Sequence, residues 1–167
     1  QQYVDQGKLA ELARKPDQAL EDYSQAIKLD PQDADAYMAR ALIYQSRYEY
    51  INVIADSTKV IEIKPSYAAY IARGSAYVNI GNANPTKRQT DLALKDFNIA
   101  VQLSPEKAEP YAYKGLAYYD AGDYDSAIAS YSDSLSHDGN YADAYFARGE
   151  CYPAKLHYDK AISDSEQ

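Results

Sequence analysis

Cys151 is the single cysteine of a 167-residue chain, and His137 and His157 are its two histidines. A thiol beside an imidazole is the pattern of a nucleophile with its base. The surrounding residues argue otherwise. Cys151 lies in "RGECY", where the helical pattern asks for a small buried filler, and both histidines fall near helix ends or turns. The acids of "DAGDYD" (120–125) alternate, yet they lack the spacing and glycine of a calcium loop. No phosphate loop, zinc spacing or glycine fingerprint occurs. These residues predict a protein that is not an enzyme and that uses no metal and no cofactor.

A second set of charged residues recurs along the chain instead of converging. One column reads Gln6, Arg40, Arg73, Lys114, Arg148, and another reads Asp22, Asp56, Asp96, Ser130, Asp164. Arg and Asp occur together in three rows of five, and in the other two either the cation or the acid is changed. This internal covariation predicts the ion pairs Arg40–Asp56, Arg73–Asp96 and Arg148–Asp164 as structural registry contacts. Losing one partner of such a pair, once buried, costs about 3–5 kcal/mol.

The elements that carry these columns are written four times. "AYMARALIYQSR" (36–47), "AYIARGSAYVNIG" (69–81), "PYAYKGLAYYDAG" (110–122) and "AYFARGECYPAK" (144–155) share a tyrosine, a cation three residues on, Gly or Ala, and a second tyrosine. Pro31, Pro65 and Pro105 are spaced by 34 and 40 residues, and a further 34 reaches Gly139. The first aromatic column is Tyr3, Tyr37, Tyr70, Tyr111, Tyr145; a small column follows at Gly7, Ala41, Gly74, Gly115, Gly149. In the second half of each repeat Ala19, Val53, Ala93, Ala127 and Ala161 align. Tyr23, Ser57, Phe97, Tyr131 and Ser165 follow, and then Ala26, Val60, Ala100 and Ser134. Spacings of three, four and seven are the stripe of an amphipathic helix. The small column is where two helices approach closely. One helix pair buries a single face, so several must stack.

These columns resemble the tetratricopeptide repeat, whose pattern is an aromatic, a Leu-Gly-like pair, a tyrosine, then Ala, an aromatic, Ala and a closing proline over 34 residues. The resemblance covers the whole chain and is strongest in "YDAGDYDSAIASYSDSL" (118–135). Val53, Ser57 and Val60 depart from it, and Gly139 replaces the closing proline. It implies an all-α fold, a superhelical solenoid of antiparallel helix pairs with a concave groove. The repeats would run over 1–33, 34–67, 68–107, 108–141 and a short 142–167. Ten helices are expected, near 1–14, 17–29, 34–47, 50–63, 67–80, 85–103, 108–121, 124–137, 142–155 and 158–166. With no polar capping helix at the end, the chain reads as a piece of a longer array.

The spacing of 40 arises from seven extra residues near 82–92, two helical turns that keep the second helix in phase. "NP" at 84–85 predicts an N-cap at Asn84 with proline in the first turn. The tip would project and offer Lys87 and Arg88 as an edge contact.

What remains is binding. Net charge is −8, which disfavours nucleic acid and anionic membranes, and no apolar run is long enough to insert in a bilayer. The resemblance places a partner groove on the first helices, at Met38, Leu42, Ile71, Ser75, Tyr113, Leu116, Tyr119 and Phe146. An apolar, aromatic stripe with acidic rims suits an amphipathic, apolar or basic segment of a partner protein or peptide. The Lys, Asn and Arg clamp with which some relatives hold acidic chaperone tails is replaced by residues such as Val4, Asp35, Ala39, Ala69 and Ala72, with Lys8 a lone cation. The leading expectation is therefore a non-catalytic interaction scaffold. The rival is the regulatory or substrate-recruiting arm of a larger enzyme. Self-association through uncapped ends is a third reading.

Overall fold

The computed structural model describes the backbone of residues 2–81 and 86–165, and side chains over 2–80 and 86–156. Among the described residues there are nine α-helices and no strand. They are α1 (Gln2–Leu12), α2 (Pro16–Leu29), α3 (Ala34–Ser46), α4 (Tyr50–Ile63), α5 (Tyr67–Gly81), α6 (Lys87–Leu103), α7 (Glu109–Asp120), α8 (Tyr124–His137) and α9 (Ala142–Ser165). The chain forms two compact bodies, Gln1–Ala76 and Tyr77–Gln167, each with its own core.

In the N-terminal body α1 packs on α2, α2 on α3, and α3 on α4. The start of α5 completes it, Ala69 joining Tyr37 and Val60, and Ala72 with Ala76 joining Val53. In the C-terminal body α6 packs on α7, α7 on α8, and α9 covers both α8 and α7.

The apolar columns account for these contacts. Ala19, Val53, Ala93 and Ala127 are fully buried, as are Tyr23, Ser57 and Phe97, with Tyr131 nearly so. The small column is explained by geometry. A Cβ on Gly7 would meet the Tyr23 ring at 2.7 Å, and one on Gly115 would meet the Tyr131 ring at 2.7 Å. No flexible tip could yield there, because the whole ring lies against the glycine. Where Ala41 replaces glycine, the facing column holds the much smaller Ser57. Ala161 and Ser165 lie outside the described side chains.

Within three repeats the two helices are joined by the same turn. Arg14, Tyr48 and Gly122 adopt the left-handed conformation, with φ of 56°, 61° and 78°. The next residue in each, Lys15, Glu49 and Asp123, donates its N–H back to Ala10, Tyr44 and Tyr118 carbonyls at 2.9 Å. This 6→1 bond closes the helix and satisfies a carbonyl the helix end would leave bare.

Two expected boundaries are corrected. Residues 142–155 and 158–166 were expected as separate helices, but α9 runs through them without a break and encloses Pro153. At the turn position His157 stands in place of the capping Asp123 and Leu156 in place of Gly122, although Arg14 and Tyr48 hold that same place in repeats whose helices do break. The start of α6 is at Lys87, not residue 85, and its N-cap is Thr86. Thr86 accepts from Gln89 N–H while the Gln89 side chain accepts from Thr86 N–H, a reciprocal capping box. "TKRQ" carried that signal in the sequence. Asn84 and Pro85 lie outside the described residues.

Candidate functional site

Among the described side chains, the Cys151 thiol and the His137 imidazole are held in separate contacts. Cys151 is fully buried, donates to the Ala147 carbonyl at 3.2 Å, and burial pushes its thiol up. A protonated, enclosed thiol is inert. His137 stacks on Tyr111 with centroids 4.6 Å apart, and the His157 side chain lies outside the described ones. Asp123 of the alternating acids accepts from Ser126 N–H at 3.1 Å, capping α8. Among the described residues no three His, Cys, Asp or Glu side chains gather as a metal would require.

Arg40 and Asp56 are brought together. Arg40 Nε and Nη2 donate to the two carboxylate oxygens of Asp56, both at 2.8 Å. Asp56 is buried, and these bonds hold the guanidinium above its usual value although desolvation pulls the other way. The third donor reaches the preceding repeat, Nη1 to Ser24 Oγ at 3.0 Å, and Ser24 passes its own proton to the Leu20 carbonyl. Arg148 does the same with Ser132, and Ser132 with the Ile128 carbonyl. Arg73 donates to Thr58 at 3.2 Å. Each arginine also lies over the tyrosine three residues before it, Tyr37, Tyr70 and Tyr145, at 5.5–5.8 Å. The hydroxyl column Ser24, Thr58, Ser132 escaped the sequence reading. Its signal was there, since Asn98 takes the position in the row where lysine replaces arginine. Asp96 is buried in the C-terminal body, and the Asp164 side chain lies outside the described ones.

The groove residues divide. Tyr113 and Leu116 line a cleft of about 210 Å³ between α7 and α9, together with Ala112, Tyr131, Tyr141, Asp143 and Ala147. Tyr113 is held by stacking on Phe97, centroids 5.4 Å apart and planes at 13°. Burial raises the Tyr141 phenol, and neighbouring Glu109, Asp143 and Asp138 carboxylates add to that rise. Tyr119 faces inward instead, edge-on to Tyr124 at 5.5 Å and packed on the cluster that contains Cys151. Ile71 and Ser75, at 8% and 5% exposure, present almost no surface to a partner. Met38 is half-buried, packed against two clusters of the N-terminal body. Leu42 and Phe146 are exposed, and Leu42 borders a separate cleft of about 440 Å³ with Glu11 and Arg14. Lys87 and Arg88 form the exposed first turn of α6. Lys87 looks across a cleft of about 460 Å³ to Tyr118, Asp120 and Asp123. Burial raises the Asp120 carboxyl there.

Comparison with known proteins now bears on this geometry. The model for the TPR repeat matches residues 15–46 and 115–155. The chain is a tetratricopeptide-repeat protein. It is 28% identical over 134 residues to human (Homo sapiens) Tetratricopeptide repeat protein 13, covering 80% of this chain and 15% of the relative. It is 22% identical over 171 residues to Stress-induced-phosphoprotein 1 of Caenorhabditis elegans, covering 86% of this chain and 53% of the relative. A crystal structure of MamA protein superposes with a TM-score of 0.82 at 25% identity, covering 96% of this chain and 85% of that one. This tetratricopeptide-repeat chain is thus an all-α helical-repeat solenoid, a class built for protein–protein interaction. It spans about half or less of the length of these two curated relatives.

Proposed function

We propose that this chain binds a segment of a partner protein on the first helices of its repeats, with the α7–α9 cleft as the working surface of its C-terminal body. The observation that carries this reading is the cleft. It has aromatic and aliphatic walls at Tyr113, Tyr131, Tyr141 and Leu116, a carboxylate at Asp143, and no side chain of the described chain filling it. Apolar walls with a few directed polar groups are what a peptide anchor requires. The Arg40–Asp56 pair and its serine bridge serve the scaffold, locking neighbouring repeats in register. The test is affinity capture with the chain and with a Tyr113→Ala, Leu116→Ala variant whose helicity is checked by circular dichroism. At least a tenfold weaker retention by the folded variant is expected. Equal retention would move the surface elsewhere, with the Lys87–Arg88 turn the next to mutate.

A second reading is favoured by one finding, the fraction of the relatives' length that the chain covers. In it the array is the recruiting arm of a larger protein, including an enzyme. Joining the chain to its full-length context and finding substrate turnover that depends on Tyr113 and Leu116 would favour the arm. Binding that is the same in isolation and in context would favour the free-standing scaffold.

A further inference from the structure

Repeat equivalence shows how the α7–α9 cleft arises. At the matching place between α3 and α5 stands Met38, half-buried and packed against the cluster of Tyr37, Val60 and Ala69 and against that of Val53, Ala72 and Ala76. Between α7 and α9 that methionine is Ala112, and about 210 Å³ is left open. This is roughly seven water volumes, the scale of one long side chain. Two neighbours have changed with it. Tyr113 stands where the other junction has Ala39, and Asp143 where it has Ala68. The site has therefore lost its filler and gained an aromatic face and a carboxylate.

We propose that the α7–α9 cleft takes a lysine or arginine side chain of a partner segment, its stem against Leu116 and Tyr131 and its charge between Tyr113, Tyr141 and Asp143. The inference rests on the cleft being the partner-binding surface and specifies what enters it. A basic side chain is the residue type that satisfies every wall. Its methylenes cover apolar surface while its head seeks charge. The head finds two tyrosine rings and a carboxylate, groups that can attract a cation through the ring quadrupole and through a charge-assisted hydrogen bond. Tyr113 is preorganised by its stack on Phe97, so little is lost in fixing it. A purely apolar anchor would leave Asp143, an exposed carboxylate at the cleft's wall, without a partner. An acidic anchor would meet Asp143 and the nearby Glu109 and Asp138, whose proximity is recorded in the raised Tyr141 phenol. The chain's net charge of −8 adds attraction for a basic partner at distance.

The experiment is a selection of random peptides displayed on phage against the chain, followed by affinity measurement of the enriched peptides. The expected result is enrichment of one lysine or arginine position. Replacing that residue by citrulline or norleucine should weaken binding at least about tenfold, as expected for loss of a charge-assisted bond. Asp143→Asn should lose the same preference, and Asp143→Lys should turn it toward acidic peptides. Ala112→Met, which copies the closed junction, should abolish binding while the melting temperature is kept or raised. Enriched peptides that need Tyr113 and Leu116 but show no basic position would overturn this inference and leave the groove reading standing. Peptides indifferent to Ala112→Met and to the Tyr113→Ala, Leu116→Ala variant, or no enrichment at all, would overturn both.

Discussion

The α3–α5 junction of the N-terminal body and the α7–α9 junction of the C-terminal body are built on the same repeat positions. They differ in what those positions hold. At the first, half-buried Met38 packs on two apolar clusters, and on the same helix Arg40 ties α3 to its neighbours, gripping Asp56 of α4 with two bonds and Ser24 of α2 with a third. The second has Ala112 at the filler position, and Lys114 and Ser130 in the columns of Arg40 and Asp56. A lysine facing a serine cannot form an ion pair. One junction spends its residues on packing and registry, and the other gives up both for an open aromatic cleft. In a repeat array each position is sampled several times, so a departure at one copy marks where the scaffold's needs were relaxed.

The comparison can be broken most forcefully at the ion pair. Arg40→Ala leaves a buried Asp56 carboxylate without its cation, and a loss of about 3 kcal/mol in chemical denaturation is expected. Lys114→Ala at the equivalent place should cost below about 1 kcal/mol. Equal losses would show that the two junctions are not energetically distinct. The filler comes next. Met38→Ala removes a side chain shared by two clusters of the N-terminal body, so a loss of about 2 kcal/mol is expected, with a new cleft between α3 and α5. A crystal structure of that variant with the space collapsed would weaken the case that the methionine alone separates open from closed.

The smallest effect concerns a neighbouring set of equivalents. Asp17 pairs with Arg47 at 2.7 Å, joining the start of α2 to the end of α3, and Asp125 pairs with Lys155, joining the start of α8 to the middle of α9. Of the two rows between them, one has Ile51 in the aspartate column, and in the other Asp91 and Ala121 line the same α6–α7 cleft. Ala121→Lys should restore the pair and raise stability by about 0.3–0.5 kcal/mol, an effect that salt screens. No gain at low ionic strength would show that repeat equivalence does not extend to surface charges.

The buried columns were legible because they obey local rules. Ala19, Val53, Ala93 and Ala127 recur at a fixed place on an amphipathic stripe, and each is fully buried. The glycines at 7 and 115 were readable as close approaches for the same reason, and the rings of Tyr23 and Tyr131 lie on them. The Arg40–Asp56 contact was traceable through covariation between rows, whereas its serine partner was missed because Ser, Thr and Asn look interchangeable until a donor points at them. The groove was less legible. Ile71 and Ser75 share their helix with half-buried residues such as Tyr70 and Asn79, yet their own burial depends on which neighbours pack against them, and no single-helix pattern encodes that.

The sequence by itself determined the helical class, the 34-residue period and the positions that must be apolar or small, since periodicity and residue volume act within a helix or one helix pair. It also contained the Thr86 capping box, although the competing Asn-Pro signal was read in its place. Only the tertiary structure decided that Ala112 leaves a space, that Tyr113 stacks on Phe97 and that Tyr119 turns inward. The same holds for α9 passing through Pro153. The physical reason is that a cleft is a property of three or more elements at once. Its volume is what their side chains jointly fail to fill, and that remainder is set by packing between helices, not by the propensity of any one of them.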